Sequence, residues 1–141
     1  MDRTPRVFVT QEFMRLPNWH DLYVDFYNFK ICEQPYPIVW GRDSSLYQTP
    51  LWHIQLTDLQ ATLDRWAKIE DPFKRTIKES EAAHDSWLIY AKDPHAPRYL
   101  LIRIFGPNAH SREDQKRFLT VLKVEVADKW INGTEYYEPP E

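Results

Sequence analysis

Five histidines, one cysteine and an arginine set in an apolar strand are the residues of this 141-residue chain with most chemistry to offer. Imidazoles exchange protons near neutral pH and guanidinium groups hold negative charge, so the two together can move protons at an anion without a metal. The lone Cys32 excludes an internal disulfide framework and any multi-cysteine metal site. His84-Asp85 and Asp93-Pro94-His95 are close acid–imidazole pairs, but two ligands from a short turn lack the third and fourth partners a metal requires. No metal and no cofactor are expected. The three glycines are scattered, which excludes a phosphate-binding glycine loop, and neither a Gly-x-Ser-x-Gly elbow nor a His-Glu-x-x-His helix is present. What remains is His53 in one alternating stretch, Arg103 in another, and His110 just ahead of Arg112, Lys116 and Arg117.

Those groups need a frame, and the stretch from Ser86 to Gly133 supplies it: SWLIYAK, DPHAP, RYLLIRIF, GPNA, HSREDQKRFLTVLKVEVADKWING. Two strands joined by a few residues pair antiparallel, and an amphipathic helix of about 20 residues is long enough to cover one face of them. Strict alternation in the second strand puts Leu100, Ile102 and Ile104 on one face and Tyr99, Leu101, Arg103 and Phe105 on the other. Ser111 followed by Asp114 reads as a helix N-cap, Asn132-Gly133 as its stop, and Phe118, Val121, Leu122, Val126 and Trp130 as its apolar stripe.

Upstream, Arg6 to Thr10 reads as a short edge strand. A helix follows over WHDLYVDFYNFKICEQ, with Asn18 as cap and Pro35 and Pro37 as stop. Residues 34–50 carry prolines, Gly41 and a serine pair around Ile38, Val39, Trp40, Leu46 and Tyr47, the pattern of a loop packed onto the body. Leu51 to Leu56 alternates, turning Trp52, Ile54 and Leu56 inward and His53 and Gln55 to the opposite face. Pro72 divides the charged middle segment into a helix of about two to three turns and a less defined piece. The order predicts an α+β domain, residues 1–133, built on a twisted, mainly antiparallel sheet of about four strands with helices packed on it. An acidic tail, 134–141, follows and is expected to be mobile.

The chain is 43% hydrophobic and 15% aromatic, ample for one core. A net charge of −3 gives no global attraction to nucleic acid, so any such contact rests on a local basic patch. The charged N-terminus and the lack of an apolar run near 18 residues point to a cytoplasmic protein with no membrane partner.

Three local patterns occur in order: Gly41-Arg42-Asp43-x-x-Leu46-Tyr47, then His53-Ile54-x-Leu56, then Leu100-Leu101-Ile102-x-Ile104 followed by Pro107-x-x-His110. Together with the Leu88-Ile89-Tyr90 strand, they resemble the YafO-type toxins of bacterial type II toxin–antitoxin pairs, over about Trp19 to Trp130. The resemblance implies a RelE-like fold and a ribosome-dependent endoribonuclease that cuts translated mRNA, with the ribosome, mRNA and a cognate antitoxin as partners. It further implies His110 as general acid or base, Arg103 as phosphate clamp and His53 as a second proton-transfer or orienting group. Arg42, Arg112, Lys116 and Arg117 are the implied RNA contacts. Trp87, Phe105 and Tyr136-Tyr137 are candidates for cover by the antitoxin. The alternatives are a non-catalytic binding module of the same fold, and a same-fold toxin acting on DNA or a DNA-bound enzyme.

Overall fold

A computed structural model describes residues 4–140. Its centre is one mixed sheet of five strands, β1 (Arg6–Val9), β2 (Asp43–Ser45), β3 (Leu51–Leu56), β4 (Ser86–Lys92) and β5 (Arg98–Phe105), in the order β1-β5-β4-β3-β2. The neighbours from β5 to β2 pair antiparallel, while β1 lies parallel to β5 at one edge. The α+β, RelE-like architecture is as expected, with five strands rather than about four because the short Asp43–Ser45 segment completes the second edge.

Both faces of the sheet are covered. Helix α2 (Trp19–Lys30) lies on one, where Phe26 joins Val7, Val9, Trp40, Ile54, Leu88, Tyr90 and Leu101 in a buried cluster. On the other, Phe8, Leu51, Ile89, Leu100 and Ile102 pack beneath α4 (Gln115–Leu122) and α5 (Asp128–Ile131). The short α1 (Gln11–Met14) and α3 (Gln60–Trp66) sit at the periphery.

Strict alternation fails in β5, with consequences for the site. Ile89 pairs with Arg103 but Tyr90 pairs with Leu101, so Ile102 is an extra residue, a β-bulge. Beyond it the faces exchange: Phe105 joins Leu100 and Ile102 under α4, and Ile104 packs on the α2 side with Tyr99 and Leu101. Arg103 accordingly lies on the α4 side, its guanidinium 4.9 Å from the Phe118 ring centre. Thr10 fastens the bulge from outside, donating its buried hydroxyl to the Ile102 carbonyl at 2.6 Å while accepting the Phe13 N–H that caps α1.

The last helix also departs from its expected form. Ser111 does not cap it; residues Ala109–Ser111 make one 3-10 turn, Arg112 is extended, and the helix begins at Gln115. The cause is tertiary, since Asp85 draws this turn onto the start of β4 by accepting the Ala109 N–H with its carbonyl and the His110 N–H with its carboxylate. A π turn at Lys123–Ala127 then rotates the helix, so Leu119, Leu122, Ala127 and Trp130 are buried while Val121 is exposed.

The middle segment is held by side chains rather than by regular structure. Buried Arg75 donates to the carbonyls of Ile69, Pro37 and Trp40, and Glu81 accepts from the Arg65 guanidinium and the Lys78 N–H. Gly41 is needed here, because a Cβ would lie 2.6 Å from the Trp66 ring. The tail lies along the body: Tyr137 packs against the α4-side cluster, and Pro139 and Pro140 line a groove with Arg6, His20, Tyr23 and Tyr27.

Candidate active site

Cross-strand register sets one row of the site. Ser44, His53, Ile89 and Arg103 stand opposite one another across β2, β3, β4 and β5. The next row toward the end of β5 holds Gln55, Trp87 and Phe105. The indole of Trp87 is the hub: its ring centre is 4.4 Å from that of His53, 6.4 Å from that of His110 and 6.2 Å from that of Phe105. Two histidines from distant parts of the sequence thus flank one tryptophan.

The two imidazoles sit in different surroundings. His53 is 8% exposed, with Nδ1 at 3.0 Å from the Ser44 carbonyl oxygen. A carbonyl only accepts, so Nδ1 carries the hydrogen and Nε2 keeps a free lone pair. Burial pushes the His53 pKa below the ordinary imidazole value, with Arg42 and His110 acting in the same direction and the Ser44 bond and Asp43 opposing them. His110 is exposed, in the middle of the turn anchored to Asp85.

Asp85 is fully buried, and burial holds its carboxyl above the usual carboxylate range despite the His110 N–H it accepts. Its Oδ1 and the Trp87 indole N–H are both buried without a partner in hydrogen-bonding geometry among the described residues, though the indole is near enough to act on the carboxylate. Gly106 allows the close passage of this segment: its φ is +142°, and a Cβ would lie 2.7 Å from the Ser86 hydroxyl and 2.8 Å from the Asp85 carbonyl.

The cations are distributed around this centre. Arg112 lies 4.6 Å from the Phe105 ring centre and makes two contacts with Asp114, at 3.2 and 3.1 Å. Phe105 stacks on Phe118 at 4.6 Å, and Arg103 lies over Phe118, so two guanidiniums bracket a pair of rings. Arg103 stands two strand spacings, about 10 Å, from His53, is not among the charges acting on that ring, and lines a groove with Thr10, Glu12, Arg15 and Tyr136. Its buried Nε–H has no partner among the described residues. Arg42 donates to the Phe73 carbonyl and stacks on the Phe73 ring at 3.9 Å. Lys116 and Arg117 are exposed on the first turns of α4, and no ion pair among the described residues involves either.

Sequence reading missed Asp85 and the hub role of Trp87. Asp85 carried a signal as a carboxylate immediately before an apolar strand, but was read only with His84, which instead pairs with Asp58 at 2.8 Å. Trp87 and Phe105 are buried, not exposed as expected for an antitoxin contact, because α4 and the 109–111 turn close over them; of the residues named for that role, Tyr136 is exposed. A second buried network braces the row from behind. The Lys30 ammonium meets Asp43 Oδ2 at 2.8 Å, and the Tyr90 hydroxyl donates to Asp43 Oδ1 at 2.7 Å, fixing β2 and with it the Ser44 carbonyl.

No helix among the described residues is long and apolar enough to cross a membrane. No curated protein and no solved structure matches the chain. Residues 28–132, which contain β2 to β5, α4 and both imidazoles of the site, match the family described as Toxin YafO, type II toxin-antitoxin system, and the chain therefore belongs to that family of toxins, whose partners are antitoxins.

Proposed function

We propose that this toxin is a metal-independent endoribonuclease of the cytoplasm that works with the ribosome, cuts translated mRNA and so arrests translation, until its antitoxin covers it. The toxin unit is residues 1–133, with 134–141 as an appended tail. The observation that carries the reading is the convergence of His53 and His110 on Trp87. Cutting RNA without a metal requires a base for the 2′-hydroxyl, an acid for the departing 5′-oxygen and positive charge at the phosphoryl oxygens.

His53 suits the first task. Burial keeps its ring neutral and the Ser44 carbonyl leaves Nε2 free to take the 2′ proton. The 2′-oxygen then bonds to phosphorus, the bond from phosphorus to the 5′-oxygen breaks, and His110 delivers a proton to that oxygen. The products are a 2′,3′-cyclic phosphate and a free 5′-hydroxyl. Arg112, over Phe105, is the cation next to the hub, and Arg103, held by a ring rather than neutralised by a carboxylate, clamps a phosphate farther along the backbone. Arg42, Lys116 and Arg117 extend the basic rim.

The test is to express the chain under tight control and map mRNA 5′ ends beside a His110→Ala variant. New ends inside reading frames that vanish in the variant are expected; equal cutting by the variant removes His110 from the chemistry. One observation favours a second reading, a toxin that occupies its target without cutting: the small exposure of His53. Growth arrest without new ends would establish that reading instead.

A further inference from the structure

Alongside the imidazoles runs a groove of about 650 Å³ between the turn joining β2 to β3 and the flank of α4. Leu46 and Tyr47 form one wall, and Gln115, Lys116, Leu119 and Lys123 the other. It borders the site, because Gln115 on its wall donates its side-chain amide to the carbonyls of Ala109 and His110. Tyr47 is 99% exposed, yet its turn is tied by three backbone bonds, from Leu46 to Leu51, Leu51 to Gln48 and Thr49 to Tyr47. An aromatic ring carried on a tied backbone turn and held wholly in solvent contributes nothing to the core. Opposite it, Lys116 makes no ion pair among the described residues, Lys123 is paired with Asp128, and no carboxylate lines the groove.

We propose that this groove seats a nucleotide of single-stranded RNA adjacent to the cut, its base stacked on Tyr47 and its phosphate met by Lys116, a reading that rests on the proposed endoribonuclease activity. The charge of the wall selects the occupant. An apolar floor with an ammonium rim and no acid suits a base and its phosphate, whereas an acidic floor would have repelled them. Stacking reads the flat face of a base, so the seat tolerates any base and favours purines.

The experiment is cleavage of a defined mRNA in a reconstituted translation mixture by the full chain and by Tyr47→Ala, Tyr47→Phe, Lys116→Ala and His110→Ala, each first shown to melt with the parent. Tyr47→Ala is expected to raise the mRNA concentration for half-maximal cutting about tenfold and to flatten the base preference beside the cut, while Tyr47→Phe keeps both. Lys116→Ala should weaken cutting with a shallower salt dependence, by about one phosphate contact. His110→Ala should not cut at all. If Tyr47→Ala cuts like the parent, the groove assignment falls and the endoribonuclease reading stands. If the parent cuts nothing, both fall. If Tyr47→Ala cuts normally but no longer binds the antitoxin, the groove belongs to that protein and the RNA assignment is overturned.

Discussion

Replacing Asp43 by alanine strips the counter-charge from Lys30 at a place where water cannot easily replace it. The side chains of the pair are only 15% and 13% exposed, and the ammonium is ringed by Phe26, Phe29, Tyr90 and Tyr99 at 5.2 to 5.8 Å. Removing one partner of a buried pair costs about 3–5 kcal/mol, and the partial exposure here places the loss near 3. The Tyr90 hydroxyl also loses its acceptor; burial keeps that phenol protonated, so it remains an unmatched donor worth about 1 kcal/mol. The sum is about 4 kcal/mol, or a fall in melting temperature of roughly 12 °C for a chain of this size. Thermal denaturation followed by circular dichroism reads it directly. Adding Lys30→Met should recover a good part of the loss, because the orphaned charge goes with it. A melting point for Asp43→Ala within 2 °C of the parent, roughly what a solvent-screened surface pair is worth, would refute the reasoning.

Three further perturbations test other joints. Thr10→Val keeps the shape but removes both the α1 cap and the bond to Ile102; about 2 kcal/mol and about 6 °C of melting temperature should be lost, Thr10→Ser should retain most of it, and an unchanged melting point would mean the bulge needs no such fastening. The depressed His53 pKa means the unfolded ring takes a proton the folded ring refuses, so stability should drop as pH falls below about 6.5; urea midpoints at pH 7.5 and 5.5 should differ more in the parent than in His53→Gln, and equal differences would contradict the assignment. Gly106→Ala drives a methyl group into Ser86 and the Asp85 carbonyl at a backbone angle that side chains avoid; it should cost about 2 kcal/mol or more by chemical denaturation and displace the His110 turn, and a neutral effect would show that segment to be pliable.

Elements with a clear period were legible in the residues. The helix at Trp19, the strand at Leu51 and the β4–β5 pair lie where the apolar spacing put them, but the faces were less legible, because the sheet is covered on both sides and buries Leu51 and His53 as well as Ile54. The bulge at Ile102 was not legible. A strand buried on both sides carries apolar residues at every step, so an extra residue breaks no visible rhythm, and only Arg103 marked the phase. The Ser111 cap misled for a different reason: the local signature is sound, but two bonds from Asp85 outweigh it, and a serine has no knowledge of a carboxylate 26 positions earlier. Among site residues, the pairing of His53 with His110 rested on family likeness. Nothing in either sequence neighbourhood announces Trp87 as the surface they share.

The parallel seat of β1 has a consequence for synthesis. Arg6 pairs with Arg98 and Thr10 holds Ile102, so β1 has no neighbour in the sheet until β5, the last of the five strands, has been made. A chain interrupted anywhere before β5 lacks the strand that joins β1 to the rest of the sheet, carries the bulge and leads into the His110 turn. Assembly of the site is therefore close to all or nothing: the row through His53, Trp87 and Phe105 and the turn that carries His110 come together only in a chain that includes β5 and the residues after it.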